Sequence, residues 1–124
     1  MTILLVDDSA LSRSLLTAAL SNAGHHVRAV AGGRQALEAL RQAPCQLVLC
    51  DWEMPGMDGL ELCRLIRRQE FGRPMRVVLL SAHGCEDAAR ALAAGADAFL
   101  TKPISPAQLV ERIGPLEHAA GEHL

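Results

Sequence analysis

Short apolar runs alternate with longer stretches of helical period along this 124-residue chain. Ile3–Val6 is a continuous apolar run that ends in two acids, the pattern of a strand buried on both faces. Ser9 is a good N-cap for a helix reaching about Ala23, with Leu11, Leu15 and Ala18 as its apolar face and Gly24 as terminator. His26–Val30 predicts a second strand, and Arg34–Gln42 a helix that Pro44 stops. Gln46–Cys50 predicts a third strand leading into Asp51. After a turn at Met54-Pro55-Gly56, Asp58 caps a helix to about Gln69, and Arg76–Leu80 predicts a fourth strand. Glu86–Ala94 predicts an alanine-rich helix closed by Gly95, and Ala98–Thr101 a short fifth strand. Ser105-Pro106 then opens a last helix ending near Ile113.

Such β–α alternation with right-handed crossovers implies an α/β fold, a parallel sheet covered by helices on both faces. Periodicity alone leaves the strand order open. Residues 1–117 are expected to form one domain, and residues 118–124, which lack a core pattern, a frayed tail or the start of a linker.

Composition narrows the picture. With 50% hydrophobic and 21% charged residues the chain is globular. A net charge of −2 and only Trp52, Phe71 and Phe99 as aromatics argue against a nucleic-acid surface or an anionic-membrane surface. No apolar run approaches the ~20 residues that span a bilayer, and the opening Met1–Asp8 has no basic n-region of a secretory signal. Cys45, Cys50, Cys63 and Cys85 show no CxxC spacing, so zinc is disfavoured and a cytoplasmic location is expected.

In open α/β sheets ligands bind outside the carboxyl ends of the strands. The first predicted strand ends in Asp7-Asp8, the third in Asp51, the fourth in Ser81 and the fifth in Thr101-Lys102-Pro103. Carboxylates brought to one edge repel: two unit charges ~4 Å apart cost about 4 kcal/mol at an effective dielectric near 20. One of them takes a proton, or a cation sits among them. Oxygen-only donors suit Mg²⁺, which keeps waters and borrows carboxylates and phosphate oxygens. Lys102 is the only lysine in the chain, and its compact ammonium suits one phosphoryl oxygen. A dinucleotide site would need a Gly-x-Gly-x-x-Gly turn after the first strand, where Asp7-Asp8-Ser9 stands instead.

Leu4-Leu5-Val6-Asp7-Asp8-Ser9, the stretch from Asp51-Trp52-Glu53-Met54-Pro55 to Gly59, the Ser81-Ala82 pair and Gly95-Ala96-Asp97 through Lys102-Pro103 together resemble the receiver domain of two-component response regulators. The resemblance runs to about residue 116. It implies a flavodoxin-like, doubly wound (βα)5 fold of strand order 2-1-3-4-5. It further implies that Asp51 is the phosphoacceptor and that Mg²⁺ is held by Asp8, Asp51 and the Glu53 backbone carbonyl, with Asp7 acting mostly through a metal-bound water. Ser81 and Lys102 would bind phosphoryl oxygens, and the Lys102–Pro103 bond would be cis. The donor would be a phosphohistidine of a sensor histidine kinase or phosphotransfer protein, and water would later hydrolyse the acyl phosphate. Ser81 would move to bond the phosphoryl group and Phe99 would turn inward. The face of the fourth helix, fifth strand and fifth helix would then change its affinity for a downstream protein.

By the same resemblance the side chains of Glu53 and His83 border the path of the attacking water. They are expected to set the phosphoryl lifetime, with His83 titrating near ~6.5; solvated loop side chains are the alternative. Trp52 is expected to be partly exposed, Cys45, Cys50 and Cys63 unreactive, and Arg64, Arg67 and Arg68 the solvated face of the third helix. Cys85 lies near a predicted helix N-terminus, which can lower a thiol pKa. A Mg²⁺-dependent phosphohydrolase would need an Asp-x-Asp-x-Thr-like motif and a cap insertion, neither of which is present. A receiver-like scaffold that is never phosphorylated is disfavoured by the full acid, hydroxyl and ammonium set. Output passes by direct contact from a stand-alone receiver, or through a domain outside this chain, as a monomer or a phosphorylation-dependent homodimer.

Overall fold

Parallel pairing joins every neighbouring pair of strands in the sheet of a computed structural model, which describes residues 1–82, 84 and 87–122. Strands β1 (Thr2–Val6), β2 (His26–Val30), β3 (Leu47–Asp51), β4 (Arg76–Ser81) and β5 (Ala98–Thr101) lie in the order β2-β1-β3-β4-β5. Helices α1 (Ala10–Asn22), α2 (Gly33–Gln42), α3 (Gly59–Arg68), α4 (Ala88–Ala93) and α5 (Pro106–Glu122) connect or follow them. This is the expected doubly wound order, and it makes β1 and β3 neighbours.

Two apolar layers flank the sheet. Ile3, Leu5, Leu47, Leu49, Val78 and Leu80 point to one face, against Leu16 and Leu20 of α1 and Leu109 and Ile113 of α5. Leu4, Val6, Val48, Cys50, Val77 and Leu79 point to the other, against α2, α3 and α4 through residues such as Leu40, Ile66 and Ala91. Because β1, β3 and β4 supply both layers, their sequences are continuous apolar runs. Each side chain in these runs is worth about 1.5–3 kcal/mol when fully buried.

Side chains start the helices as the sequence predicts. The Ser9 hydroxyl accepts the Ser12 amide, and the Asp58 carboxylate accepts the Glu61 amide at 2.9 Å. Before α5, Ser105 and Gln108 form a reciprocal pair: the Ser105 hydroxyl accepts the Gln108 amide at 3.1 Å, and Gln108 Oε1 accepts the Ser105 amide at 3.0 Å.

Several expectations need correction. The buried face of α1 is Leu16 and Leu20, while Leu11 and Leu15 are 71% and 54% exposed. With leucine at all four positions, the helix has two apolar stripes and periodicity cannot choose between them. The last helix does not stop at Ile113 but continues to Glu122. Pro115 withholds a single amide from the ladder, and Leu116 packs against the same layer as Ile113. A 3-10 turn, Glu70–Gly72, follows α3 where no element was expected. The expected start of α4 at Glu86 lies outside the described residues, as do His83 and Cys85.

Arg67 is not on a solvated face. Its guanidinium donates to the carbonyls of Gly72, Met75 and Gly95 at 2.8, 2.6 and 2.8 Å, and to Asp97 Oδ2 at 2.7 Å. One side chain thus gathers the backbone leading into β4 and the turn leading into β5. Gly95, with φ +103°, is the close partner in this clamp: a Cβ there would stand 2.7 Å from Arg67 Cγ. Cys45, Cys50 and Cys63 are buried, and burial pushes each thiol up, Cys63 to about 11.

Candidate phosphoacceptor site

The strand order carries the acidic residues to one edge. Asp7 and Asp8 follow directly on β1, and Asp51 is the last residue of β3. Carboxylate oxygens from these three residues all lie within 4.8 Å of one another. Asp7 and Asp51 are buried, whereas Asp8 is exposed. Asp7 is held from three sides: its amide donates to the Val30 carbonyl at 3.1 Å, its Oδ1 accepts the Ser9 amide at 2.9 Å, and its carbonyl accepts Arg13 at 2.8 Å. Arg13 was not anticipated, and no sequence signal marks it.

Lys102 closes the cluster. Its amide donates to the Ser81 carbonyl at 2.8 Å, continuing the β4–β5 ladder past Thr101, and its ammonium donates to Asp51 Oδ1. The Lys102–Pro103 peptide bond is cis, as the motif implied. Burial lifts the Asp51 carboxyl above its ordinary value. The hydrogen bond and charge of Lys102 pull it back part of the way, and the charges of Asp7 and Glu53 add to the lift. Burial would lower Lys102, but its hydrogen bond to Asp51 and the surrounding negative charge leave it above its ordinary value.

The backbone after Asp51 is fixed by two bonds. The Trp52 amide donates to the Leu80 carbonyl at 2.8 Å, and the Gly59 amide donates to the Trp52 carbonyl at 2.9 Å. Gly59 is required here by contact, since a Cβ would lie 2.6 Å from the Asp51 carbonyl oxygen and 2.8 Å from Trp52 Cα. Trp52 itself is buried at 6% exposure, not partly exposed as expected. It is covered by the Arg90 guanidinium, 5.5 Å from the ring centroid, and by the half-buried Phe99 ring.

Ser81 ends β4 fully buried. Its hydroxyl donates to Glu53 Oε1 at 2.9 Å, and the Ala82 amide donates to the same oxygen at 2.8 Å. The Glu53 carboxylate, expected to line a water path, instead bridges to the end of β4. Burial would raise the Glu53 carboxyl, but the bonds from Ala82 and Ser81 together hold it below its ordinary value. His83 lies outside the described residues.

A groove of about 700 Å³ opens beside the cluster, bordered by Asp7 and Lys102 and walled by Leu11, Leu15, Ile104 and Pro106. Among the described residues no helix is long and apolar enough to cross a membrane.

The family model for the response regulator receiver domain matches residues 3–114. The phosphate regulon transcriptional regulatory protein PhoB of Pseudomonas aeruginosa is 38% identical over 113 residues, covering 90% of this chain and 49% of its own length. Sensor histidine kinase GacS of Pseudomonas protegens is 41% identical over 113 residues, covering 88% of this chain and 12% of its own length. The chain thus spans about half or less of the length of these relatives. Among solved structures, chemotaxis protein CheY4 of Vibrio cholerae superposes with a TM-score of 0.87 at 30% identity, covering 92% of this chain and 96% of that one. A match across almost the entire sheet, with Asp7, Asp8 and Asp51 gathered at its carboxyl edge, means that the chain belongs to the response regulator receiver domain family of two-component signalling.

Proposed function

We propose that this chain accepts a phosphoryl group on Asp51 from the phosphohistidine of a sensor histidine kinase or phosphotransfer protein, and that the acyl phosphate switches a binding face. The observation that carries this reading is the Asp51 carboxylate lying among Asp7 and Asp8 while paired to Lys102. An Asp51 oxygen attacks phosphorus, the P–N bond breaks, and the imidazole leaves. Lys102 neutralises one phosphoryl oxygen, and Ser81 donates its hydroxyl to another. Hydrolysis reverses the modification: a water oxygen attacks phosphorus, the P–O bond to Asp51 breaks, and the carboxylate and inorganic phosphate result. Glu53 and His83 tune how long the phosphoryl group lasts.

The donor set is all oxygen and tightly clustered, which fits Mg²⁺. Asp7, Asp8, Asp51 and the Glu53 backbone carbonyl would hold it, and it would supply charge neutralisation for the phosphoryl oxygens. A donor protein presenting its phosphohistidine at Asp51 rests against the apolar wall of Leu11, Leu15 and Ile104, the side on which the groove opens. Output runs through α4, β5 and α5, with Phe99 turning inward and a downstream protein as recipient. The receiver unit occupies residues 1–117 in the cytoplasm, with residues 118–124 a frayed tail or the start of a linker, as a monomer or a phosphorylation-dependent homodimer.

The test is the intact mass after incubation with acetyl phosphate, with and without Mg²⁺, beside Asp51→Asn. A Mg²⁺-dependent gain of one phosphoryl group that the variant lacks is expected. A gain that persists in Asp51→Asn would remove Asp51 as the acceptor.

A further inference from the structure

We propose that the Glu53 side chain is a built-in competitor for the phosphoryl group: its carboxylate occupies the donors that a phosphoryl oxygen must take, and must be displaced before the site can hold its modification. The inference rests on the phosphoacceptor reading above and adds a resting-state occupant to it.

Two donors converge on one oxygen. The Ser81 hydroxyl and the Ala82 amide both bond Glu53 Oε1, at 2.9 and 2.8 Å. An anionic oxygen taking a hydroxyl and a neighbouring backbone amide at once is the arrangement a phosphoryl oxygen would adopt at this strand end. Ser81 is fully buried at the end of β4, so its hydroxyl reaches a limited set of partners. A phosphoryl group on Asp51 brings a charge of roughly −2. Two anions cannot share the same donors in a partly buried site without strong repulsion.

The backbone lets the two parts of Glu53 act separately. Trp52, just before it, is tied to the Leu80 and Gly59 backbones at 2.8 and 2.9 Å. The main chain leading to Glu53 is therefore anchored independently of the carboxylate, which Ser81 and Ala82 hold. The carboxylate can swing out of the seat without carrying the Glu53 carbonyl away from the acids. Its departure also relieves repulsion at Asp51, on which the negative charge of Glu53 acts. Displacement of Glu53 and capture of Ser81 by the phosphoryl group are then one exchange, so Glu53 positions Ser81 and sets the threshold for modification.

The probe is beryllofluoride in the presence of Mg²⁺, with binding followed by Trp52 fluorescence and by calorimetry. Glu53→Ala is expected to bind it about tenfold or more tightly than wild type, the worth of one charge-assisted hydrogen bond, and Glu53→Gln to fall between. Removing a nearby negative charge cannot tighten Mg²⁺ itself, which a Mg²⁺ titration of each variant checks. In a Ser81→Ala background the gain from Glu53→Ala is expected to shrink, because the shared donor is gone. Wild-type binding that Glu53→Ala fails to tighten overturns the inference and leaves the phosphoacceptor reading standing. A gain of equal size in the Ser81→Ala background also overturns it, since Glu53 would then act through charge alone. Binding by neither chain removes both readings.

Discussion

The Trp52 and Phe99 rings meet edge to face, with centroids 5.9 Å apart and planes at 87°. The residue that follows Asp51, just past the end of β3, is therefore in contact with the aromatic of β5, across β4, which lies between the two strands in the sheet. Arg90 of α4 closes over the same indole. As the only tryptophan in the chain, Trp52 reports this junction without ambiguity. Beryllofluoride with Mg²⁺ is expected to change its emission in wild type and not in Asp51→Asn. Phe99→Ala and Arg90→Ala are each expected to increase quenching by acrylamide. Unchanged quenching in both variants would mean that neither side chain covers the indole in solution.

The buried Asp51 carboxylate carries a stability cost. Burial, before any other influence, lifts its carboxyl above the ordinary value. A group with a raised folded-state pKa favours folding below its unfolded value and loses that contribution as pH rises through the folded one. At neutral pH Asp51→Asn is therefore expected to raise the thermal midpoint by a few degrees. The difference shrinks as pH falls toward about 3.9, the ordinary aspartate value. A lower midpoint for the variant at neutral pH would mean that the ion pair with Lys102 outweighs burial.

Arg67 bonds four carbonyls, those of Gly72, Arg73, Met75 and Gly95, and Asp97 from a half-buried position. Arg67→Ala leaves those acceptors without the donor, and is expected to cost about 1–3 kcal/mol in urea unfolding. Arg67→Lys recovers little of this, because an ammonium cannot spread donors over so wide an arc. Full recovery by lysine would show that charge, not the planar fork, is what the clamp supplies.

Gly59→Ala places a methyl group against the Asp51 carbonyl oxygen and Trp52 Cα. Backbone cannot yield as a flexible side chain would, so the start of α3 must move away from the end of β3. A loss of about 1–3 kcal/mol is expected, together with weaker beryllofluoride binding because Asp51 is displaced. Normal stability and normal binding would show that the two elements tolerate a wider gap.

Much of this was legible because the strands announce themselves. The runs at Ile3–Val6 and Gln46–Cys50 read as buried strands, and the acidic residue following each stands at the carboxyl edge of the sheet. That logic located Asp7, Asp51, Ser81 and Lys102 without contact information. It failed where one residue type has two uses. Leucines 11, 15, 16 and 20 support either face of α1, and only packing against α5 and the sheet selects Leu16 and Leu20. Arg67 reads as an ordinary surface arginine, because two of its acceptors, Gly95 and Asp97, lie 28 and 30 positions away and the nearer ones are irregular backbone after α3. The Glu53–Ser81 bridge was out of reach for the same reason: it joins two strand ends 28 positions apart, through side-chain angles that no local pattern encodes.

The Arg67 clamp also has a mechanical consequence for α4. The far end of this helix, at Gly95, is bolted to α3, while its near end meets the site through Arg90 lying over Trp52. A beam fixed at one end and loaded at the other bends like a cantilever. Deflection is then expected to be largest near Ala88 and to vanish toward Gly95, so that amide exchange rates on phosphorylation fall off along the helix. Under the output route proposed above, a partner gripping α4 at its Ala88 end would read the full stroke, and one gripping it near Gly95 almost none.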